Sequence, residues 1–217
     1  MEISYLGHSS FKIKTKQGTV ITDPYDKSVG FAYPSVTGDI VTSSHAHPDH
    51  NNMSAVKPSA GRDAPFLISA AGEYEVSGIS IFGFPSFHDA VQGKERGPNI
   101  VYSIAAEGIT VVHLGDLGHE LTDEFIEDLG EVDVLLCPVG GVYTIDAKTA
   151  IEVIQAIDPY YVIPMHYKTA AHDASTYGSL QTVEDFVKAY GVTSEPVKSL
   201  SVSSTKPEQT TLVVLES

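Results

Sequence analysis

The sequence predicts a mixed α/β fold in which two β-sheets pack together and helices lie outside them. Three observations predict it. The first part of the chain is a series of short apolar or alternating runs broken by turn residues. The second part alternates such runs with helical patterns. Most side chains able to do chemistry stand just after a run that reads as a strand, where layered α/β folds build their sites. The chain has 217 residues, of which 42% are hydrophobic and 19% charged, which suits a packed core and argues against disorder.

The elements follow in order. Ile3 to Leu6 and Ser10 to Lys14 read as strands joined around Gly7-His8-Ser9, with Phe11 and Ile13 alternating against Lys12 and Lys14. Gln17-Gly18 turns the chain into a strand from Thr19 to Thr22, which ends at Asp23-Pro24 because proline lacks the N–H that a ladder needs. Residues 25–38 read as an irregular loop. Asp39 to Ser44 is a short buried strand, Asn51 to Val56 a single helical turn, and residues 58–65 a connection. Phe66 to Ile68 is a strand. Gly72 to Val76 and Ile79 to Phe84 form a hairpin around Ser77-Gly78, and Ile100 to Ala105 and Ile109 to Leu114 form another across Glu107-Gly108. A polar, glycine-bearing loop, 90–98, separates the two hairpins.

Thr122 caps a helix over 123–129 that Gly130 stops. Val132 to Pro138 is a buried strand. Asp146 caps a helix to Ile157, with Ala150, Ile151, Ile154 and Ile157 on one face. Tyr160 to Ile163 is a strand, 168–180 a loop, and Thr182 with Asp185 a capping box for a helix ending at Gly191. Thr210 to Leu215 is a terminal strand. No repeat at a short period and no long linker interrupts the order, so a single domain over 1–217 is expected.

Composition excludes several classes. The formal net charge is -15 and no basic tract occurs, so a nucleic-acid partner is not expected. The one cysteine, Cys137, permits no intrachain disulfide and reads as a buried apolar filler. The N-terminal residues lack a secretory pattern and the apolar runs fall short of a membrane span, which makes cytoplasmic the expected location, without membrane association. Self-association into a homo-oligomer is left open.

The densest chemistry lies in His45-Ala46-His47-Pro48-Asp49-His50, an H-x-H-x-D-H pattern. Imidazole and carboxylate suit zinc, iron or manganese. One short turn cannot wrap all four groups around a single ion without strain, but it can offer two to each of two neighbouring ions. The motif therefore predicts distant partners, and Asp23, His88, Asp116 and His166 stand at other strand ends.

The order Asp23, His45-x-His47-x-Asp49-His50, His88, Asp116 and His166 resembles the five motifs of the metallo-β-lactamase fold superfamily over nearly the whole chain. Gly7-His8-Ser9-Ser10-Phe11, Thr22-Asp23-Pro24, His113 to His119 and Pro164 to Lys168 resemble its small branch related to sugar-phosphate lactonases. The resemblance implies a four-layer αββα sandwich with metals at one edge, between the sheets. It implies His45, His47 and His88 on one divalent ion, Asp49, His50 and His166 on a second, and Asp116 bridging them. Zinc is the first expectation for both ions, with manganese or iron also compatible. Asp49 and Asp116 would carry the catalysis, and Asp23 would orient a ligand from behind.

Two such ions activate a water for attack on a small ester, lactone or phosphoester. His8 and His119 are candidates for supporting a ligand or facing substrate. Lys168, and with less reason Arg96, is a candidate for holding an anionic substrate group. His113, inside an apolar strand, reads as a hydrogen-bonded core histidine, and His172 as surface or cleft rim. The competing readings are a nuclease of the same fold, a di-iron redox protein and a non-catalytic metal sensor. The first normally adds a polymer-binding arm and the second a flavin domain.

Overall fold

A computed structural model describes residues 1–216. The strands are β1 (Glu2–Gly7), β2 (Ser10–Lys14), β3 (Thr19–Thr22), β4 (Thr37–Gly38), β5 (Ile40–Thr42), β6 (Lys57–Pro58), β7 (Phe66–Ile68), β8 (Gly72–Val76), β9 (Ile79–Phe87), β10 (Pro98–Ala106), β11 (Ile109–His113), β12 (Val134–Pro138), β13 (Tyr161–Met165), β14 (Leu200–Ser201) and β15 (Thr211–Leu212). The helices are α1 (Asp123–Leu129), α2 (Ala147–Ile157), α3 (Ala174–Tyr177) and α4 (Val183–Tyr190).

Two sheets carry the fold. One is six-stranded in the order β14-β1-β2-β3-β5-β7, and the other is seven-stranded in the order β15-β13-β12-β11-β10-β9-β8. Their facing sides share one apolar core, to which Ile3, Phe11 and Ile13 contribute from the first sheet and Ile81, Val101 and Val111 from the second. All five residues of β12 are buried, as expected of a central parallel strand covered on both faces.

The outer helices cover the second sheet. α2 buries Ala150, Val153, Ile154 and Ile157, one helical stripe, while Ile151 is only half-buried at its margin. Phe125 of α1 meets Phe84 of β9 with ring centroids 5.7 Å apart. The outer face of the first sheet is covered by the 3₁₀ turn at Met53–Ala55, with Val36, Val56 and Met53 packed on Ile21 and Val41, while the turn at Lys27–Val29 packs Val29 with Tyr25, Tyr177 and Leu180. The αββα order holds, and that outer layer is thin because residues 25–38 and 51–65 are too rich in Pro, Gly and Ser to propagate a helix.

The caps form as the sequence predicts. Thr122 accepts from Phe125 N, Asp146 from Thr149 N, and Thr182 and Asp185 make the reciprocal capping box. Several elements differ, among them β4 and β6, which pair with each other in stretches that read as loop and connection. β9 continues three residues past Phe84, through Pro85. The proline stands opposite Ile100, whose own N–H goes to Ser44 O (2.9 Å), so this pair draws no donor from the proline. The loop 168–180 contains the short helix α3, and β14 adds an edge to the first sheet. Among the described residues no helix is long and apolar enough to cross a membrane.

Phe186 of α4 is fully buried, so Phe186→Ala should lower stability by about 3–5 kcal/mol. Urea denaturation checks it: the midpoint should fall while the slope stays unchanged.

Candidate metal centre

Strand direction explains why the candidate residues meet. β3 and β5 are parallel, so Asp23 and His45 leave the same edge of the first sheet. In the second sheet β11, β12 and β13 are parallel, and β9 reaches the same direction through two antiparallel steps across β10. His88, Asp116 and His166 therefore leave one edge as well. Hydrogen bonds hold the two edges together, among them Ile100 N to Ser44 O, His166 N to His8 O (2.8 Å) and Tyr102 Oη to Ser43 O (3.1 Å).

The backbone is bent to deliver these side chains. His8, Asp23 and His166 have φ of 55°, 40° and 52°, left-handed values that cost a non-glycine residue about 1–3 kcal/mol each. Gly140 lets the His166 carbonyl approach so closely that any Cβ there would collide with it, and Gly118 does the same for the backbone of His88 and Asp89.

Asp116 is the point of convergence. Its Oδ2 lies 3.2 Å from His88 Nε2, 3.3 Å from His50 Nε2, 3.3 Å from His166 Nε2 and 3.9 Å from His45 Nε2. Nitrogen and oxygen atoms within 4.8 Å of one another fall into three overlapping groups: His45, His47 and His88; His8, Asp49, His50 and His166; and Asp23, His45 and His50. All of these except His47 and Asp49 are at least nine-tenths buried.

Asp23 sets the proton positions. Its carboxylate accepts from Ser44 N (2.8 Å), from Ser44 Oγ (2.5 Å) and from His50 Nδ1 (2.8 Å). The Ser44 hydroxyl has one proton and gives it to Asp23, so His45 Nδ1, 2.9 Å from Ser44 Oγ, must be a donor. Both His45 and His50 are thereby protonated on Nδ1 and turn the bare lone pair of Nε2 inward. His45 Nε2, His50 Nε2 and Asp116 Oδ1 are buried without a hydrogen-bond partner. Buried acceptors facing acceptors are costly unless a cation lies between them. The donor set, nitrogen and carboxylate oxygen, fits borderline divalent ions.

The electrostatics agree. Burial lowers His45 to about 3, with His50 adding to the shift, and burial together with His88 lowers His47. Burial opposes charge on Asp116, yet the fields of His166 and His50 hold its carboxyl well below the usual range. Asp49 is lowered too, because His50 and the His8 hydrogen bond outweigh its burial. For His50 burial is again opposed and outweighed: Asp116 and Asp49 raise it well above an ordinary histidine, which shows how strongly the site favours positive charge.

The other expected residues divide. His8 is fully buried beside the cluster, with Nε2 3.2 Å from Asp49 Oδ2. His113 is the hydrogen-bonded core histidine: Nε2 donates to Ser9 O (2.8 Å) and Nδ1 accepts from Gly115 N (3.0 Å), which shapes the turn into Asp116. His172 is buried against His8 and not on the surface. Two expectations are corrected. His119 stays out of the cluster because both ring nitrogens serve backbone, Nδ1 donating to Glu120 O and Nε2 accepting from Phe87 N. Lys168 does not reach the cleft, since its ammonium donates to Gly178 O at 2.7 Å.

A cleft of about 430 Å³ opens over the cluster. Arg96 lines it, with its guanidinium 5.5 Å from the Tyr143 ring centroid and one N–H on Tyr143 O. The loop bearing Arg96 is folded around Asp89, whose two oxygens accept from Val91 N, Gly93 N, Glu95 N and Arg96 N at 2.8–3.0 Å. Burial opposes those bonds, yet they lower the Asp89 carboxyl to about 2. Tyr177, on the other wall, donates its hydroxyl to Asp49 Oδ2 (3.0 Å). Sequence reasoning missed Tyr177. The available signal was Asp173, which caps α3 and turns the loop inward.

Family comparison agrees with this geometry. The chain belongs to the metallo-β-lactamase superfamily: the beta-lactamase superfamily domain matches residues 2–166. Its relatives there include the UPF0173 metal-dependent hydrolases. The one from Nanoarchaeum equitans is 31% identical, with 78% of this chain and 85% of that protein covered. The one from Carboxydothermus hydrogenoformans is 26% identical, with 88% and 94% covered. A solved structure from Thermotoga maritima, provisionally assigned as a Zn-dependent hydrolase of the metallo-β-lactamase superfamily, is 39% identical, with a TM-score of 0.79 and 99% and 97% of the two chains covered.

Removing the Asp89 carboxylate leaves four loop amides without their acceptor. Asp89→Ala should speed trypsin cleavage at Lys94 and Arg96 and hydrogen exchange at residues 91–96, both read by mass spectrometry, while exchange in β12 stays unchanged.

Proposed function

We propose that this metal-dependent hydrolase works with two divalent ions, His45, His47 and His88 holding one and Asp49, His50 and His166 the other, with Asp116 between them. The observation that carries this reading is the convergence of four imidazole Nε2 atoms on Asp116 Oδ2 within 3.2–3.9 Å, with those of His45 and His50 held as inward lone pairs. Two of the three groups of ligand atoms divide the H-x-H-x-D-H turn between His47 and Asp49, and the third links His45 to His50 through Asp23. When bound, two such ions supply Lewis acidity, acidifying a water toward neutrality and drawing charge from an electrophile's oxygen.

The chain's own residues do the rest. Asp23 fixes the proton on the outer nitrogen of His50 and, through Ser44, of His45. Asp116 sets the spacing of the two halves. The cleft of about 430 Å³ is the size of a small-molecule site. Arg96 at its wall meets an anionic substituent, and the substrate is a small ester, lactone or phosphoester carrying that charge. The formal charge of -15 opposes a polynucleotide substrate.

Metal analysis of protein purified without chelator should find about two ions per chain, zinc first among them. Asp49→Ala and Asp116→Ala should each abolish hydrolysis across a panel of esters, lactones and phosphoesters. Hydrolysis that survives either change sinks the dinuclear reading. With an anionic substrate, Arg96→Ala should raise KM about tenfold and leave kcat within about twofold. An uncharged substrate of the same size should show neither change in steady-state kinetics.

A further inference from the structure

Behind the cluster, a second row of side chains runs away from Asp49. Thr169 N donates to His172 Nδ1 at 3.1 Å. His172 Nε2 lies 3.2 Å from His8 Nδ1, and His8 Nε2 lies 3.2 Å from Asp49 Oδ2. His8 is fully buried and His172 is 7% exposed. Each end of this row has a group with only one role. A backbone N–H can only donate, so His172 Nδ1 is an acceptor and the ring carries its proton on Nε2. That proton points at His8 Nδ1, which must accept it, leaving His8 protonated on Nε2. At the other end an ionised carboxylate can only accept, which requires the same His8 tautomer. Two independent constraints give one answer.

We propose that His172 and His8 form a proton-ordered pair, set by the Thr169 amide, that positions Asp49 as a metal ligand by binding one of its oxygens. This rests on the dinuclear reading above. Both rings are neutral in this row, because each uses Nδ1 as an acceptor, His172 from the Thr169 amide and His8 from His172. Tyr177 donates to the same Oδ2 of Asp49, so two donors fall on one oxygen. The same Oδ2 lies 3.6 Å from His50 Nε2, so the oxygen these donors hold is the one that faces the cluster. His172 and Tyr177 are thus positioning residues that act through His8 or directly on Asp49, from a segment whose sequence reads as plain loop.

His172 borders a cavity of about 370 Å³, so replacements there have room. The test uses the full chain, zinc-loaded and metal-free. Long-range proton–nitrogen NMR spectra of the wild type should show His8 and His172 both as the Nε2–H tautomer in both states. His172→Leu removes the donor to His8 and should abolish the fixed His8 signature. It should also weaken one of the two zinc sites roughly 10–100-fold in chelator competition. His172→Gln, whose amide donates from the place of Nε2, should restore zinc affinity to within about threefold. A His8 protonated on Nδ1 in the wild type, or a folded His172→Leu protein with unchanged zinc affinity, overturns the proposal. If the wild type bound no zinc, the dinuclear reading would fall, and the metal-free spectra would still decide the proton order.

Discussion

The structure depends on a repulsion. At one end of the sandwich, imidazole lone pairs and carboxylate oxygens face one another in a buried space, and a polypeptide cannot satisfy acceptors with acceptors. Asp23 makes this unavoidable. By taking protons from His50 and Ser44 it forces both His45 and His50 to present bare nitrogen inward. A site tuned only for stability would turn one of these rings over or replace one carboxylate. This one keeps every acceptor in place and spends stability on three left-handed non-glycine residues to do so. Such an arrangement calls for cations between the acceptors.

The frame is rigid for the same reason that it is strained. The two sheets are joined at the site end by bonds that belong to neither ladder, among them Ile100 to Ser44, His166 to His8 and His113 to Ser9. Each joins a residue within two positions of a cluster member to the opposite sheet. The sheets therefore cannot shear without moving ligand atoms. Asn99 adds to this by accepting from Asp116 N while donating to Leu114 O and Ser86 Oγ. That fixes the Asp116 turn against β9 and β10. The precision of the metal cluster comes from this cross-bracing more than from the H-x-H-x-D-H turn alone.

How much of this the sequence displays depends on range. Helix caps at Thr122, Asp146 and Thr182 are legible because donor and acceptor lie within three residues. The cluster is legible because its residue types are rare in that spacing and each stands at a strand end. β14 is not, since two residues pair with β1 only after the chain has crossed the whole fold. Tyr177 and His172 are not, because their partners, Asp49 and His8, are far away in sequence and a loop carries no periodicity to give direction. Lys168 and Arg96 show the same limit from the other side. Both are cations near a motif, and only tertiary contacts, Gly178 O for one and the Tyr143 face for the other, decide which one lines the cleft.

Charge gives the last step. The protein carries a net -15, a field that repels anions at a distance. Within the site the balance reverses. Three carboxylates, Asp23, Asp49 and Asp116, lie in the cluster; the two divalent ions proposed above would leave it net positive, and the Arg96 guanidinium lines the same cleft. Beyond roughly 8–10 Å of salt solution the outer charges are screened, whereas the buried centre is not. A small anion in such a loaded cleft would meet attraction, whereas a long polyanion would also meet the net negative charge of the chain. On the proposed dinuclear reading, the same charge distribution favours a compact anionic ester or lactone over a nucleic acid.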